Sequence, residues 1–105
     1  MGKEVGMNIM ITARHFDLTA SLKSRIEEKL RKLEKFSDNL MEAHMIIEQM
    51  ERRALVELTL HSRTSDFHAR ANSYERRLAV DNAIRRMKTQ LKAHREKIKE
   101  HKQKS

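Results

Sequence analysis

The chain has 105 residues, a length that fits one domain, and contains no cysteine, which excludes disulfide frameworks, thiolate zinc sites and cysteine nucleophiles. Its formal charge of +8 favours a polyanionic partner, whether nucleic acid, an anionic membrane or an acidic protein. The N-terminus lacks the apolar stretch of a signal peptide and no segment approaches the ~20 apolar residues of a membrane span, so the expected compartment is cytoplasmic.

The charge is unevenly placed. From Tyr74 onward there are eleven Lys/Arg against four acids, which puts +7 of the net charge in the last third of the chain.

The first six residues carry no pattern and are expected to be a disordered extension. Asn8 to Ala13 alternates Ile9, Ile11 and Ala13 with Asn8, Met10 and Thr12, the two-residue period of a half-buried strand. Thr19 offers an N-cap, and Leu22, Ile26, Leu30, Leu33 and Phe36 recur at three- and four-residue steps, predicting a helix from about Thr19 or Ala20 to Phe36. After the turn residues Ser37-Asp38-Asn39, Ala43, Met45 and Ile47 alternate with His44, Ile46 and Glu48 as a second strand. Leu55 to His61 reads as a third, with Val56, Leu58 and Leu60 inward, hairpinned to the second.

Beyond the loop at 62–65, Phe67, Ala69 and Ala71 mark a fourth strand. Ser73 is expected to cap a long helix from about Tyr74 to Lys99, with Val80, Ile84, Met87, Leu91 and Ile98 along one face and no proline to interrupt it. Residues from about 100 to 105 are expected to form a basic tail. The resulting fold class is α+β: a β-α-β-β-β-α two-layer sandwich, a four-stranded sheet with two helices packed on one face, in a single domain spanning 1–105.

On the last helix, Arg77, Arg85, Lys88, Lys92, Arg95, Lys99 and Lys102 share one side next to the apolar stripe, a row able to follow a phosphate backbone. The plain alternative, that these cations only solvate a surface helix, suits a charge-balanced helix better than this one. On the first helix, Lys29, Lys32 and Lys35 are interleaved with acids. They border the same groove only if the two helices lie side by side. Aromatics are few, with Phe36 and Phe67 at core-facing positions, so no stacking platform for unpaired bases is apparent and recognition is expected to rest on phosphate, ribose and shape.

His61 and His68 are expected opposite each other on the exposed sheet face, with His44 beside them. No carboxylate spacing supports a metal there, and exposed strand histidines are common. With no glycine loop for phosphates and no buried carboxylate pair, the chain reads as a binding protein and not an enzyme, needing no metal and no cofactor. Asp81, placed among arginines, reads as an ion-pair partner.

Asn8-Ile9-Met10-Ile11-Thr12, Leu18-Thr19, the block Lys29-Leu30-Arg31-Lys32-Leu33-Glu34-Lys35-Phe36, His68-Ala69, Ala79-Val80-Asp81 and Gln90-Leu91-Lys92 together resemble, in order and spacing, the bacterial ribosome hibernation-promoting factor and ribosome-associated inhibitor family, once described as sigma-54 modulation proteins. The resemblance covers nearly the whole chain from Met7. It implies a stress- or stationary-phase protein that sits in the mRNA and tRNA channel of the small ribosomal subunit, contacts rRNA through basic helices and inhibits translation.

The positions matched by the family are Lys29, Lys32, Lys35, Arg86, Lys88 and Lys92, whereas Arg85, Arg95 and Lys99 come from the helical row alone. Arg77 stands where the family commonly has Tyr. The length resembles the short form, without the dimerisation domain of long forms. The implied partners are the small subunit and its rRNA, with no membrane and no small-molecule substrate. A general double-stranded RNA-binding module, also built as a sheet covered by two helices, is the alternative.

Overall fold

A computed structural model describes the backbone of residues 6–104 and the side chains up to residue 96. Its elements are β1 (Asn8–Arg14), α1 (Ala20–Lys32), β2 (Leu40–Gln49), β3 (Ala54–Ser62), β4 (Asp66–Ser73) and α2 (Arg76–Lys104). The sheet order is β1-β2-β3-β4, with β1 parallel to β2 and the other pairs antiparallel. A parallel pair needs a crossover connection, and α1 is that crossover, which fixes it on a face of the sheet.

Local chemistry accounts for the boundaries. Thr19 caps α1, its Oγ1 accepting from Leu22 N at 3.1 Å. Helix α1 stops at Lys32 and tightens into a 3₁₀ turn, Leu33–Lys35, four residues short of the predicted α-helical end at Phe36, as helix C-termini commonly do. Asn39, just before β2, takes a left-handed conformation at φ 66°, which its short amide side chain tolerates. The β2–β3 turn closes with Met50 N donating to Arg53 O at 2.7 Å. In the β3–β4 turn, Ser62 N donates to Ser65 O at 2.8 Å while Ser62 Oγ accepts from Ser65 N at 2.9 Å.

The alternation read from the sequence decides what is buried. Ala43, Met45 and Ile47, then Val56, Leu58 and Leu60, then Phe67, Ala69 and Ala71 point to one face and are buried there. They meet Ile26, Leu30 and Leu33 from the α1 side and Ala79, Val80, Ala83, Ile84, Met87 and Leu91 from α2 in one core. Met7, ahead of β1, is also buried. Its N–H donates to Glu34 Oε2 at 2.9 Å, tying the approach to β1 to the 3₁₀ turn after α1.

Two expectations are corrected. Helix α2 starts at Arg76, with Glu75 O accepting from Ala79 N, so Glu75 and not Ser73 occupies the N-cap position and Tyr74 lies outside the helix. Ser73 Oγ instead accepts from Glu75 N. At its other end α2 continues to Lys104, past the predicted stop near Lys99, because no proline or glycine interrupts it.

Candidate nucleic-acid interface

Both helices lie on one face, so the two faces of the domain differ in charge. The open face carries, row by row across the sheet, Asn8-Glu42-His61-Asp66, Met10-His44-Thr59-His68, Thr12-Ile46-Glu57-Arg70 and Arg14-Glu48-Leu55-Asn72. Those rows hold four carboxylates against two arginines, and Arg53 adds a third by donating to Asn72 Oδ1 at 2.7 Å, so the face is net negative and a poor surface for RNA. The net cationic charge therefore belongs to the helical layer.

The helix layer gathers part of the predicted set tightly. Lys88 Nζ and Lys92 Nζ lie 5.2 and 5.9 Å from the centroid of the Phe36 ring, so the half-buried ring seats two ammonium groups from α2 against the end of the α1 segment. Arg95 Nη1 donates to Lys35 O at 3.1 Å, which closes the same junction. Lys88, Lys92 and Arg95, all exposed on α2, thus meet the 3₁₀ turn after α1 at one junction, where Lys35 is also exposed. Arg85 is exposed on the outer surface of α2, and Lys32 is exposed at the end of α1.

Lys29 is placed differently. It is partly buried, with Nζ 3.6 Å from Asp81 Oδ1, while Arg25 Nη2 donates to Asp81 Oδ2 at 3.1 Å. Its charge is largely answered within the protein, and Asp81 acts as the ion-pair partner expected of it.

Arg86 does not join the strip. Two residues before Lys88, it lies about 200° around the helix from it. Its Nη1 donates to Arg70 O on β4 at 2.7 Å, on the opposite flank of α2, where Gln90 Nε2 also donates to His68 O at 2.6 Å. The family pattern singled out the position, but helical periodicity sends it toward the sheet edge. Lys99, including its side chain's direction, lies outside the residues whose side chains are described.

The histidine expectation is also revised. His61 pairs with Asp66 and His68 with Thr59, so the two histidines are not opposite each other. His61 Nδ1 lies 2.8 Å from Asp66 Oδ1, His68 Nδ1 3.1 Å from Thr59 Oγ1 and His44 Nε2 3.0 Å from Thr12 Oγ1. The hydrogen bond to the Asp66 carboxylate raises the His61 pKa above the ordinary 6.5, against a smaller opposing effect of desolvation. Among the described residues, no group of three His, Asp or Glu is arranged to hold a metal ion, and no helix is long and apolar enough to cross a membrane.

Sequence reading missed the aromatic contacts. Phe16 lies under the Arg76 guanidinium at 4.3 Å, and Phe67 meets His94 edge-on at 5.1 Å. Both pairs join residues far apart in the chain, and no local spacing announces them.

Residues 9–99 match the family described as Sigma 54 modulation protein / S30EA ribosomal protein. Similar proteins include the ribosome hibernation promoting factors of Klebsiella oxytoca, 25% identical, and Escherichia coli strain K12, 26% identical, each over 95 residues that cover 90% of this chain and 100% of the relative. The fold is shared with the N-terminal domain of Thermus thermophilus Protein Y, with a TM-score of 0.76 at 20% identity over 86% of this chain and 99% of that one. A ribosomal subunit interface protein from Coxiella burnetii gives 0.75 at 23% identity over 85% and 98%. A β-α-β-β-β-α sandwich with its net positive charge on the helical layer, matched from the first strand well into the last helix, belongs to the sigma-54 modulation and S30EA ribosomal protein family.

Proposed function

We propose that this protein is a ribosome hibernation factor of the cytoplasm, which binds the small ribosomal subunit at the mRNA and tRNA channel and inhibits translation in stressed or stationary cells. The observation that carries the reading is the exposed set Lys88, Lys92 and Arg95 of α2 seated against Phe36 and the exposed Lys35 at the turn after α1, on the layer opposite a sheet face with four carboxylates. Each phosphate met by such a cation releases condensed counterions, so the contact is strong at low salt and weakens steeply as salt rises. The rRNA framework offers phosphates at fixed positions, and a rigid two-helix surface meets them without ordering itself first.

The names carried by its relatives point the same way, toward ribosomes and hibernation. No step in this reading calls for catalysis or a cofactor, since occupying the channel is enough to exclude mRNA and tRNA.

Gradient sedimentation with isolated small subunits tests the reading. The protein is expected to travel with the subunits at physiological salt and to reduce their binding of mRNA and initiator tRNA. Protein left at the top of the gradient would overturn it. Stoichiometric displacement by a free RNA duplex would favour instead a general double-stranded RNA-binding module.

A further inference from the structure

At the far end of α2 from the Phe36 cluster lies a cavity of about 630 Å³, walled by Ser21, Leu22 and Arg25 of α1, by Gln49 of β2, and by Tyr74 to Arg77 at the start of α2. Its size is within the roughly 300–1,000 Å³ of small-ligand sites. Tyr74 borders it with 77% of its surface exposed. Among the described residues, the aromatic and cation–π pairs use Phe16, Phe36 and Phe67 and leave the Tyr74 ring uncovered.

Two of the three guanidiniums in the wall are fixed by neighbours. Arg76 is held by the Phe16 ring and by Gln49 Oε1 at 2.7 Å, and Arg25 by Asp81. Arg77 is exposed, and among the described residues no carboxylate lies within ion-pair distance of it.

We infer that this cavity receives one unpaired ribonucleotide, its base stacked on Tyr74 and its phosphate on Arg77. The inference rests on the reading of the chain as an RNA-binding protein and adds to it a site for a single-stranded element. Stacking on an exposed aromatic beside a cation is how unpaired bases are held with little regard to sequence, and a duplex cannot offer a base in this way. Arg76, held by the uncharged Phe16 ring and Gln49, keeps its positive charge in the wall, while that of Arg25 is answered by Asp81. Glu75, on the same wall, disfavours a phosphate at its own position and can accept from the exocyclic amino group of a base, so adenine suits the site better than uracil.

The chain has one tyrosine and no tryptophan, so its intrinsic emission reports on Tyr74 alone. The probe is a short oligoadenylate, used single-stranded and paired with oligouridylate, with binding followed independently by anisotropy of an end label. The single strand is expected to quench the tyrosine emission saturably, and the duplex to bind without quenching. Tyr74→Ala is expected to weaken single-strand binding about 5- to 100-fold while sparing the duplex, and Tyr74→Phe to restore most of it. Because Tyr74 is exposed, both variants are expected to melt like the parent protein, which circular dichroism checks.

Unchanged emission at saturation, equal binding by Tyr74→Ala, or no single-strand binding at all would each overturn the inference. Co-sedimentation of the parent protein with small subunits is read separately. Its loss overturns the hibernation reading, and its persistence without quenching overturns only the nucleotide site.

Discussion

Asp81 on α2 accepts a 3.1 Å hydrogen bond from Arg25 on α1, and this pair, with Lys29 Nζ 3.6 Å from the other carboxylate oxygen, is a polar link that sets one helix against the other. Asp81 Oδ1 is buried and makes no hydrogen bond, so Lys29 meets it by charge rather than by a close contact. The link has opposite consequences for stability and for binding.

Replacing Asp81 with Ala leaves two partly buried cations facing each other without their counter-charge. The expected loss of stability is about 1–3 kcal/mol, measured by urea denaturation. The same substitution frees Lys29 and Arg25 for phosphate, so the salt dependence of subunit binding is expected to steepen even as the fold weakens. A variant as stable as the parent would show that the helices are held by their apolar contacts alone.

Charge reversal at Lys88 and Lys92 together is expected to weaken small-subunit binding and to flatten its dependence on salt, with each lost phosphate contact lowering the slope by roughly 0.7–0.9. The two ammonium groups sit over Phe36 at exposed positions, so the stability loss is expected to stay near ~1 kcal/mol. Sedimentation at several salt concentrations gives the slope, and thermal melting gives the stability. Binding equal to that of the parent would place the contact on another surface.

Arg86 and Lys88, two residues apart, are expected to behave differently. Arg86→Ala removes a hydrogen bond to the Arg70 carbonyl and is expected to cost about 0.5–1.5 kcal/mol of stability, with little change in subunit affinity. Lys88→Ala is expected to do the reverse. If Arg86→Ala costs more affinity than Lys88→Ala, the flank of α2 over β4 faces the RNA.

His61 is expected to titrate above 6.5 in an NMR pH series, and Asp66→Asn to lower its pKa toward that value. The sign follows from linkage. A histidine whose folded-state pKa is raised holds its proton more tightly in the folded protein, so its contribution is fully present below about pH 6.5. That contribution disappears as pH rises through the raised value. Since His61 is exposed, the effect is expected in the titration curve and not in the melting temperature. A pKa unmoved by Asp66→Asn would assign the shift to another neighbour, of which Glu42 is the nearest carboxylate across the sheet.

The order of elements, the inward residues of three strands, the apolar stripe of α1 and that of α2 as far as Leu91 were all legible in the amino-acid sequence, while the side chain of Ile98 lies outside the described residues. Periods of two and of 3.6 residues follow from backbone geometry, and burial acts on them uniformly along the chain. The concentration of cations after Tyr74 was equally plain, because net charge is a sum over residues and needs no coordinates. Which cations act together was decided only by packing. Lys88, Lys92 and Arg95 meet Phe36 and Lys35 across more than fifty residues of sequence, Lys29 turns inward to Asp81, and Arg86 reaches the opposite flank. Direction around a helix relative to a distant neighbour is a property of the assembled layers, so a local pattern can supply the charges but not the surface they share.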